Sequence, residues 1–310
     1  MAADEHLLIP VVCGPTGAGK SALALWLAQQ QPTTIIVADS RQIYHGFDIG
    51  TAKPNASERA AVAHRGIDIV DPTERFSAAA WAANADVWID EAQREGRLPL
   101  VVGGTGFYLR ALFEPLFDEP MLDPQRRRRL EQVLAPISLP ELRRWTGVLD
   151  PDRAHLGRSQ LLRAIEVALL SGQRMSALHR ERGRPARCAA RYLVVDPGPM
   201  LADQIAARLD GMLAGGWVDE VRRLMTEIPE SAPAWNASGY RAIREHVRGT
   251  VDLAAARATI LIETRQYAKR QRTWLRHQLD ADDVTLLDPR DASWKPIAER
   301  WLNETVRRPA

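Results

Sequence analysis

The chain has 310 residues, of which 45% are apolar and 26% charged, with a formal net charge of +2. That composition excludes a disordered chain, and so small a charge excludes a global field drawing the protein onto nucleic acid; any nucleic-acid surface has to be local. The length suits one large core or two domains of ordinary size.

Leu7–Cys13 is a short apolar run that ends in a glycine loop, and Ser21–Gln30 has the character of a helix. Thr34–Ala38 is β-branched and apolar, and it ends at Asp39. Ile67–Val70 is a shorter candidate strand closed by Asp71-Pro72, and Leu98–Val102 is a buried-type strand stopped by Gly103-Gly104. Tyr192–Val195 and Val284–Leu287 complete the set, with helical stretches separating most of the runs. Apolar strands alternating with helices make an α/β fold, a parallel sheet with helices on both faces. Between Asp123 and Arg187 the pattern turns helical, rich in Leu and Arg, with no convincing strand. The expected organisation is a core in two parts, residues 1–122 and 188–310, interrupted by a helical insertion domain over 123–187.

The two cysteines, Cys13 and Cys188, lack metal-ligand spacing and fit a reducing compartment. No apolar run has the length of a bilayer span. Asp4 and Glu5 precede Leu7–Val12, so that run reads as a first strand and not as a secretion signal. The expectation is a cytoplasmic protein with no membrane partner, and nothing in the pattern demands a second subunit.

Gly14-Pro15-Thr16-Gly17-Ala18-Gly19-Lys20-Ser21 matches the phosphate-loop pattern G-x-x-x-x-G-K-[ST]. Backbone N–H groups must turn inward around phosphate oxygens, which a Cβ would obstruct. Lys20 adds a point charge, the Ser21 hydroxyl can take Mg²⁺, and the helix that follows directs its N-terminal N–H groups at the anion. The match lies between a strand and a helix, where that mechanism needs it. Most such loops bind ATP or GTP, which makes a kinase or NTPase the default. The runs ending Asp39-Ser40, Asp71-Pro72 and Asp196-Pro197 carry no acidic pair. That weighs against a hydrolytic motor but not against a small-molecule kinase.

Asp39-Ser40-Arg41-Gln42-Ile43-Tyr44 is followed by Asp48-Ile49-Gly50-Thr51-Ala52-Lys53-Pro54. Further on come Val102-Gly103-Gly104-Thr105-Gly106-Phe107-Tyr108, Ser238-Gly239-Tyr240-Arg241, and a run from Thr264 through Tyr267-Ala268-Lys269-Arg270-Gln271-Arg272 to Arg276. These blocks, in this order, resemble the tRNA dimethylallyltransferases. The resemblance implies a P-loop core with a helical insertion reaching the anticodon arm. It also implies transfer of a dimethylallyl group from dimethylallyl diphosphate to the exocyclic amine of the adenine 3′ of the anticodon, releasing pyrophosphate. The phosphate loop then holds dimethylallyl diphosphate in place of ATP, with Mg²⁺ at Ser21.

The resemblance places a diphosphate-binding arginine at Arg208 and tRNA contacts at Asp39, Ser40, Arg41, Gln42, Thr105 and Arg127. It continues them over Ser159, Gln160, Leu161, Leu162 and Arg163, then Asn236, Ala237, Ser238, Gly239, Tyr240 and Arg241. The last group is Lys269, Arg270, Gln271, Arg272, Thr273, Trp274, Leu275 and Arg276. Gln160 stands where relatives commonly carry Arg, and Ala242 where Gln is frequent.

The chemistry gives these residues tasks. The exocyclic adenine nitrogen is a poor nucleophile, and a carboxylate accepting its N–H would orient it and take the proton. Asp39, at the carboxyl end of a strand, is the candidate, since ligands of open α/β sheets bind there; the bland alternatives are a helix cap or a Mg²⁺ contact. Thr105 either hydrogen-bonds the leaving group or the RNA, or caps a helix. Arg208 is either a diphosphate ligand or a solvated helix charge. Lys20 stabilises the charge on the departing pyrophosphate. On the last long helix Arg265, Lys269, Arg272 and Arg276 fall within an arc of roughly 60°, with Ile260, Tyr267 and Trp274 opposite. The stripe contains no acid, which suits a phosphate backbone. A small-molecule kinase with that helix as a lid is the competing reading, and a non-enzymatic RNA-binding module is a weaker third.

Overall fold

The computed structural model describes residues 7–114, 116–117, 120, 122–181, 183–184 and 186–307. In chain order the elements begin β1 (Leu7–Cys13), α1 (Lys20–Ala28), β2 (Thr33–Ala38), α2 (Ala56–Ala61) and β3 (Ala63–Arg65). Next come α3 (Ala78–Arg94), β4 (Leu98–Gly103), α4 (Gly106–Phe113) and β5 (Leu116–Phe117). Four helices follow, α5 (Pro124–Leu134), α6 (Leu139–Leu149), α7 (Arg158–Ser171) and α8 (Met175–Glu181), then β6 (Gly183–Arg184) and β7 (Cys188–Val195). The chain finishes with α9 (Leu201–Ala214), α10 (Trp217–Glu227), α11 (Tyr240–Val247), α12 (Leu253–Gln278), β8 (Val284–Leu287) and α13 (Trp294–Arg307).

Two compact units divide the chain, Met1–Phe113 with Arg187–Ala310, and Glu114–Ala186. The first unit holds a sheet in the order β3-β2-β4-β1-β7-β8, parallel throughout. β2 is buried along its whole length, as a central strand covered on both faces must be, and its β-branched run Thr33–Val37 suits that place. On α3 the buried positions Ala78, Trp81, Ala82, Ala85, Ile89 and Ala92 recur at helical spacing, and the Ser77 side chain accepts the N–H of Ala80 as its N-cap. The core beneath α1, α9 and α13 gathers Val12, Leu27, Leu193, Leu201, Ile205 and Trp301. No helix among the described residues is long and apolar enough to cross a membrane.

The unit Glu114–Ala186 packs α5, α6 and α7 around Leu134, Leu142, Leu161 and Ile165. It begins earlier than the expected Asp123. It also contains strand structure where none was expected, because Leu116 and Phe117 pair antiparallel with Arg184 and Gly183. A two-residue ribbon is too short to show any sequence period.

A second difference concerns Ile67–Val70, which is not a sheet strand. The strand beside β2 is Ala63–Arg65, and it stops at Gly66, whose φ of +82° breaks the extended path. Asp68 then takes a φ of +53°, and Val70 makes only an isolated bridge to Tyr44. Both thiols, Cys13 and Cys188, are buried, and burial pushes each up to about 12, which leaves them inert.

Trp81 is fully buried, stacks on Tyr108 with ring centroids 4.8 Å apart, and donates its indole N–H to the Val37 carbonyl at 3.1 Å. Replacing it by Ala removes that packing and orphans the carbonyl. Trp81→Ala is expected to cost about 3–5 kcal/mol, read as a lower urea midpoint at unchanged slope.

Candidate active site

Four strands deliver the site at their carboxyl ends. β1 runs into the phosphate loop, β2 into Asp39, β4 into Gly103-Gly104-Thr105, and β7 into Asp196. This is the edge at which open parallel sheets bind ligands. Gly14 has a φ of +153°, and a Cβ there would collide with the Val195 carbonyl oxygen of the neighbouring strand, so no other residue fits.

The loop opens onto a cavity of about 460 Å³ lined by Thr16, Gly17, Gly19, Lys20 and Ser21, with Asp39, Arg208, Tyr267 and Gln271 around it. Lys20 Nζ donates to the Pro15 carbonyl at 2.8 Å. Burial lowers the Lys20 ammonium to about 8, helped by the Arg208 charge and opposed by that of Asp39. Burial also lowers Arg208, again with Asp39 opposing, and its guanidinium reaches the Thr16 hydroxyl at 3.4 Å. Two desolvated cations facing one carboxylate make a site short of negative charge, and a diphosphate supplies it.

Asp39 accepts the Arg41 N–H at 2.8 Å through Oδ1 and lines the cavity. Thr105 is bound from two sides. Its hydroxyl oxygen accepts the Ser40 N–H at 3.2 Å, and the Tyr267 hydroxyl lies beside the same side chain. The Thr105 N–H is also bound, to the Ala38 carbonyl at 3.2 Å. Thr105 therefore ties the end of β2 to α12. Ser21 is exposed on the cavity wall, so its hydroxyl is open to a hard cation. Mg²⁺ is commonly held by one or two protein oxygens plus the substrate's phosphates, and the residues present fit that arrangement.

A smaller chamber of about 90 Å³ adjoins the cavity, sharing Thr16, Gly17, Asp39, Arg208 and Tyr267 with it. Its remaining walls are mostly apolar, including Ile205, Leu209, Met212, Trp217 and Ile260.

Several expected RNA-contact residues turn inward. Gln271 is buried; its Oε1 accepts the Thr16 N–H at 2.8 Å and its Nε2 donates to the Gly104 carbonyl at 2.7 Å. It positions the phosphate loop. Tyr240 and Leu161 are fully buried, Ala237 and Leu275 nearly so, and none offers its side chain to a surface. Gln42 is buried as well, donating to the Thr51 and Ala52 carbonyls at 3.0 and 3.1 Å.

Arg272 differs from the other bases of its stripe. No acid shares its stripe on α12, yet Asp196 at the end of β7 meets its guanidinium at 2.8 Å and Gly198 adds a carbonyl. An acid from another element is invisible to a helical projection. Arg265, Lys269 and Arg276 are exposed, on the side of α12 away from Tyr267 and Gln271. Arg270 instead lies over the Tyr267 ring, 5.7 Å from its centroid, Thr273 caps back onto the Lys269 carbonyl at 3.0 Å, and Trp274 packs on Gly106.

Elsewhere Arg241 pairs with Glu263, Asn236 and Ser238 are exposed, and Ser238 meets the Thr264 hydroxyl at 3.4 Å. Within the second unit Arg127 and Arg163 share the buried carboxylate of Glu166, at 3.2 and 2.9 Å. Ser159 and Gln160 are exposed, Leu162 is half-buried, and the Gln160 side chain accepts the Gly157 N–H at 3.3 Å. Sequence reasoning missed Tyr267 and the positioning role of Gln271; their i, i+4 spacing on the face of α12 opposite the bases was the available signal.

A diphosphate beside Lys20 must draw its lowered ammonium back toward the ordinary range. Binding of dimethylallyl diphosphate at about pH 8 is therefore expected to take up about half a proton, and almost none near pH 6.5, where Lys20 is already charged. Calorimetry in buffers of different ionisation enthalpy reads this. Lys20→Met should abolish the uptake at the higher pH.

A family model described as IPP transferase matches residues 42–278, and one described as isopentenyl transferase matches residues 8–66. The tRNA dimethylallyltransferase of Bordetella petrii is 44% identical, the alignment covering 87% of this chain and 90% of that protein. The namesake from Anaeromyxobacter sp. strain Fw109-5 is 41% identical over 88% of this chain and 96% of its own. Among solved structures, the full-length tRNA isopentenylpyrophosphate transferase of Bacillus halodurans superposes with a TM-score of 0.67 at 30% identity, covering 97% of this chain and 98% of that one. A eukaryotic dimethylallyltransferase captured acting on tRNA superposes with a TM-score of 0.76 at 27% identity, covering 94% and 77%. With a model match over most of its length and relatives above 40% identity along nearly all of it, this chain belongs to the IPP transferase family.

Proposed function

We propose that the chain transfers a dimethylallyl group from dimethylallyl diphosphate to the exocyclic amine of the adenine 3′ of the anticodon in tRNA, releasing pyrophosphate. The observation that carries this reading is the position of Asp39, where the cationic phosphate cavity meets the mostly apolar chamber. A prenyl chain attached to a diphosphate in the cavity needs apolar wall next to the phosphates, and the chamber supplies it.

The bond between the allylic carbon and the diphosphate oxygen breaks as the adenine nitrogen attacks that carbon. Asp39 accepts an N–H of the amine, orients its lone pair, and takes the proton as the new C–N bond forms. Charge grows on the leaving pyrophosphate and is met by Lys20, Arg208 and the N–H groups of the phosphate loop, where partial burial strengthens the interaction. Ser21 would hold Mg²⁺, which would add to the neutralisation of the leaving group. Thr105, fixed by Ser40 and Tyr267, stands ready to hydrogen-bond the leaving group or the RNA.

On the RNA side the reading takes the anticodon stem-loop as the segment bound. Arg265, Lys269 and Arg276 on α12 are the cations for its phosphates; Arg127 and Arg163, the candidates in the unit Glu114–Ala186, are paired with Glu166 and contribute less, as Arg272 does. The enzyme works as a single chain in the cytoplasm, where its two cysteines stay reduced.

The purified protein is expected to move label from dimethylallyl diphosphate to tRNA with Mg²⁺ and without ATP. Asp39→Ala should lower turnover by 10²-fold or more, on the order of a general base's usual contribution, with tRNA affinity nearly intact. ATP turnover with a small acceptor, and no label on tRNA, would replace the reading with a kinase. A second expectation concerns salt. Lys269→Gln should flatten the dependence of tRNA affinity on salt by about one unit of slope, and Arg272→Gln by less, because Asp196 already neutralises Arg272. Equal slopes for Lys269→Gln and the parent return the stripe to ordinary solvated surface.

A further inference from the structure

Trp217 opens α10 and is fully buried, yet its ring is part of the chamber wall beside Asp39. The ring lies in a slot between two glycines that are far apart in sequence. A Cβ on Gly50 would fall on Nε1 and the neighbouring ring carbons, and a Cβ on Gly239 would fall on the outer edge of the six-membered ring. Both clashes are closer than real side chains tolerate, so the slot exists only because both positions are glycine. Nε1 is the indole atom nearest Gly50, which turns the polar edge toward that loop.

One helical turn along, Glu220 fixes the loop that closes the slot. Its buried carboxylate accepts the N–H groups of Asp48 at 3.0 Å, Ile49 at 2.7 Å and Gly50 at 3.5 Å. It also accepts the Tyr240 hydroxyl at 2.6 Å. Residues 217 and 220 share a face of α10 by their i, i+3 spacing, so one turn carries both the ring and the anchor for the loop pressed against it. Four donors on one buried carboxylate leave that loop little freedom.

We infer that Trp217, gripped between Gly50 and Gly239 and backed by Glu220, closes the end of the chamber and limits the transferred group to five carbons. The inference rests on the prenyl-transfer reading above and deepens it. The chamber offers hydrocarbon the apolar walls Ile205, Leu209, Met212, Trp217 and Ile260, and some of its polar side chains are engaged within the fold: the Thr51 hydroxyl donates to the Phe47 carbonyl at 2.6 Å, and Ser238 meets Thr264. A branched five-carbon chain needs no polar partner, so it suits the apolar side of this chamber.

The test compares dimethylallyl diphosphate with geranyl diphosphate, its ten-carbon homologue, as donors to tRNA. The parent enzyme is expected to use the first and to discriminate strongly against the second. Trp217→Leu should raise the ratio of kcat/KM for geranyl over dimethylallyl diphosphate by roughly tenfold or more, the scale of discrimination available to a hydrophobic pocket. Met212→Ala, on the α9 side of the same chamber and outside the slot, should raise it in the same direction and serves if the tryptophan variant does not fold. Folded, active variants with an unchanged donor ratio overturn the inference. So does a variant whose only change is a higher KM for tRNA, because the chamber then takes the base. A parent enzyme that transfers neither group to tRNA defeats the function itself, and that result is distinct from an unchanged ratio.

Discussion

One primary amide holds the site closed. Gln271 spans from the N–H of Thr16, in the phosphate loop, to the carbonyl of Gly104, at the end of β4. Both contacts are to backbone and the side chain is buried, so α12 is docked onto the edge of the sheet at a defined depth. That depth brings Tyr267, one turn earlier, onto Thr105, and it brings Trp274, one turn later, onto Gly106. An amide suits this task better than a charged group, since it donates at one end and accepts at the other without adding to the field of Lys20 and Arg208.

That field is the second constraint. Lys20 and Arg208 are held close enough, and dry enough, that each shifts away from its charged form. Such an arrangement is unfavourable without an anion and becomes favourable when a diphosphate arrives. Asp39 is the carboxylate that acts on both cations, and it lines both the cavity and the chamber. Lys20, Arg208 and Asp39 thus form one electrostatic triangle.

Several motif residues also have a structural task. Gly50 and Gly239 make room for an indole, and Tyr240 hands its hydroxyl to Glu220. Lys53 is buried at the side chain and ion-pairs with Asp48 and Asp68 while donating to the Tyr44 carbonyl at 2.6 Å. These residues give the walls of the site a fixed shape, and Lys20, Ser21, Asp39 and Arg208 remain on the wall of the cavity.

The sequence alone determined the strands that run into the site, because apolar β-branched runs and a glycine-rich turn are short-range signals carried by neighbouring residues. It also located the phosphate loop, Asp39 and Thr105, each of which follows directly from where a strand ends. It did not locate Ala63–Arg65, whose edge position depends on pairing with β2, nor the ribbon of Leu116 and Phe117, which is too brief to show a period. Only the tertiary structure decided which polar groups would meet: Gln271 with Thr16, Arg272 with Asp196, and Glu220 with the loop Asp48–Gly50. Those partners lie far apart along the chain, and no local periodicity records them; the packing of α10 and α12 against the sheet chooses them, and that choice separates a cation free for RNA from one already neutralised.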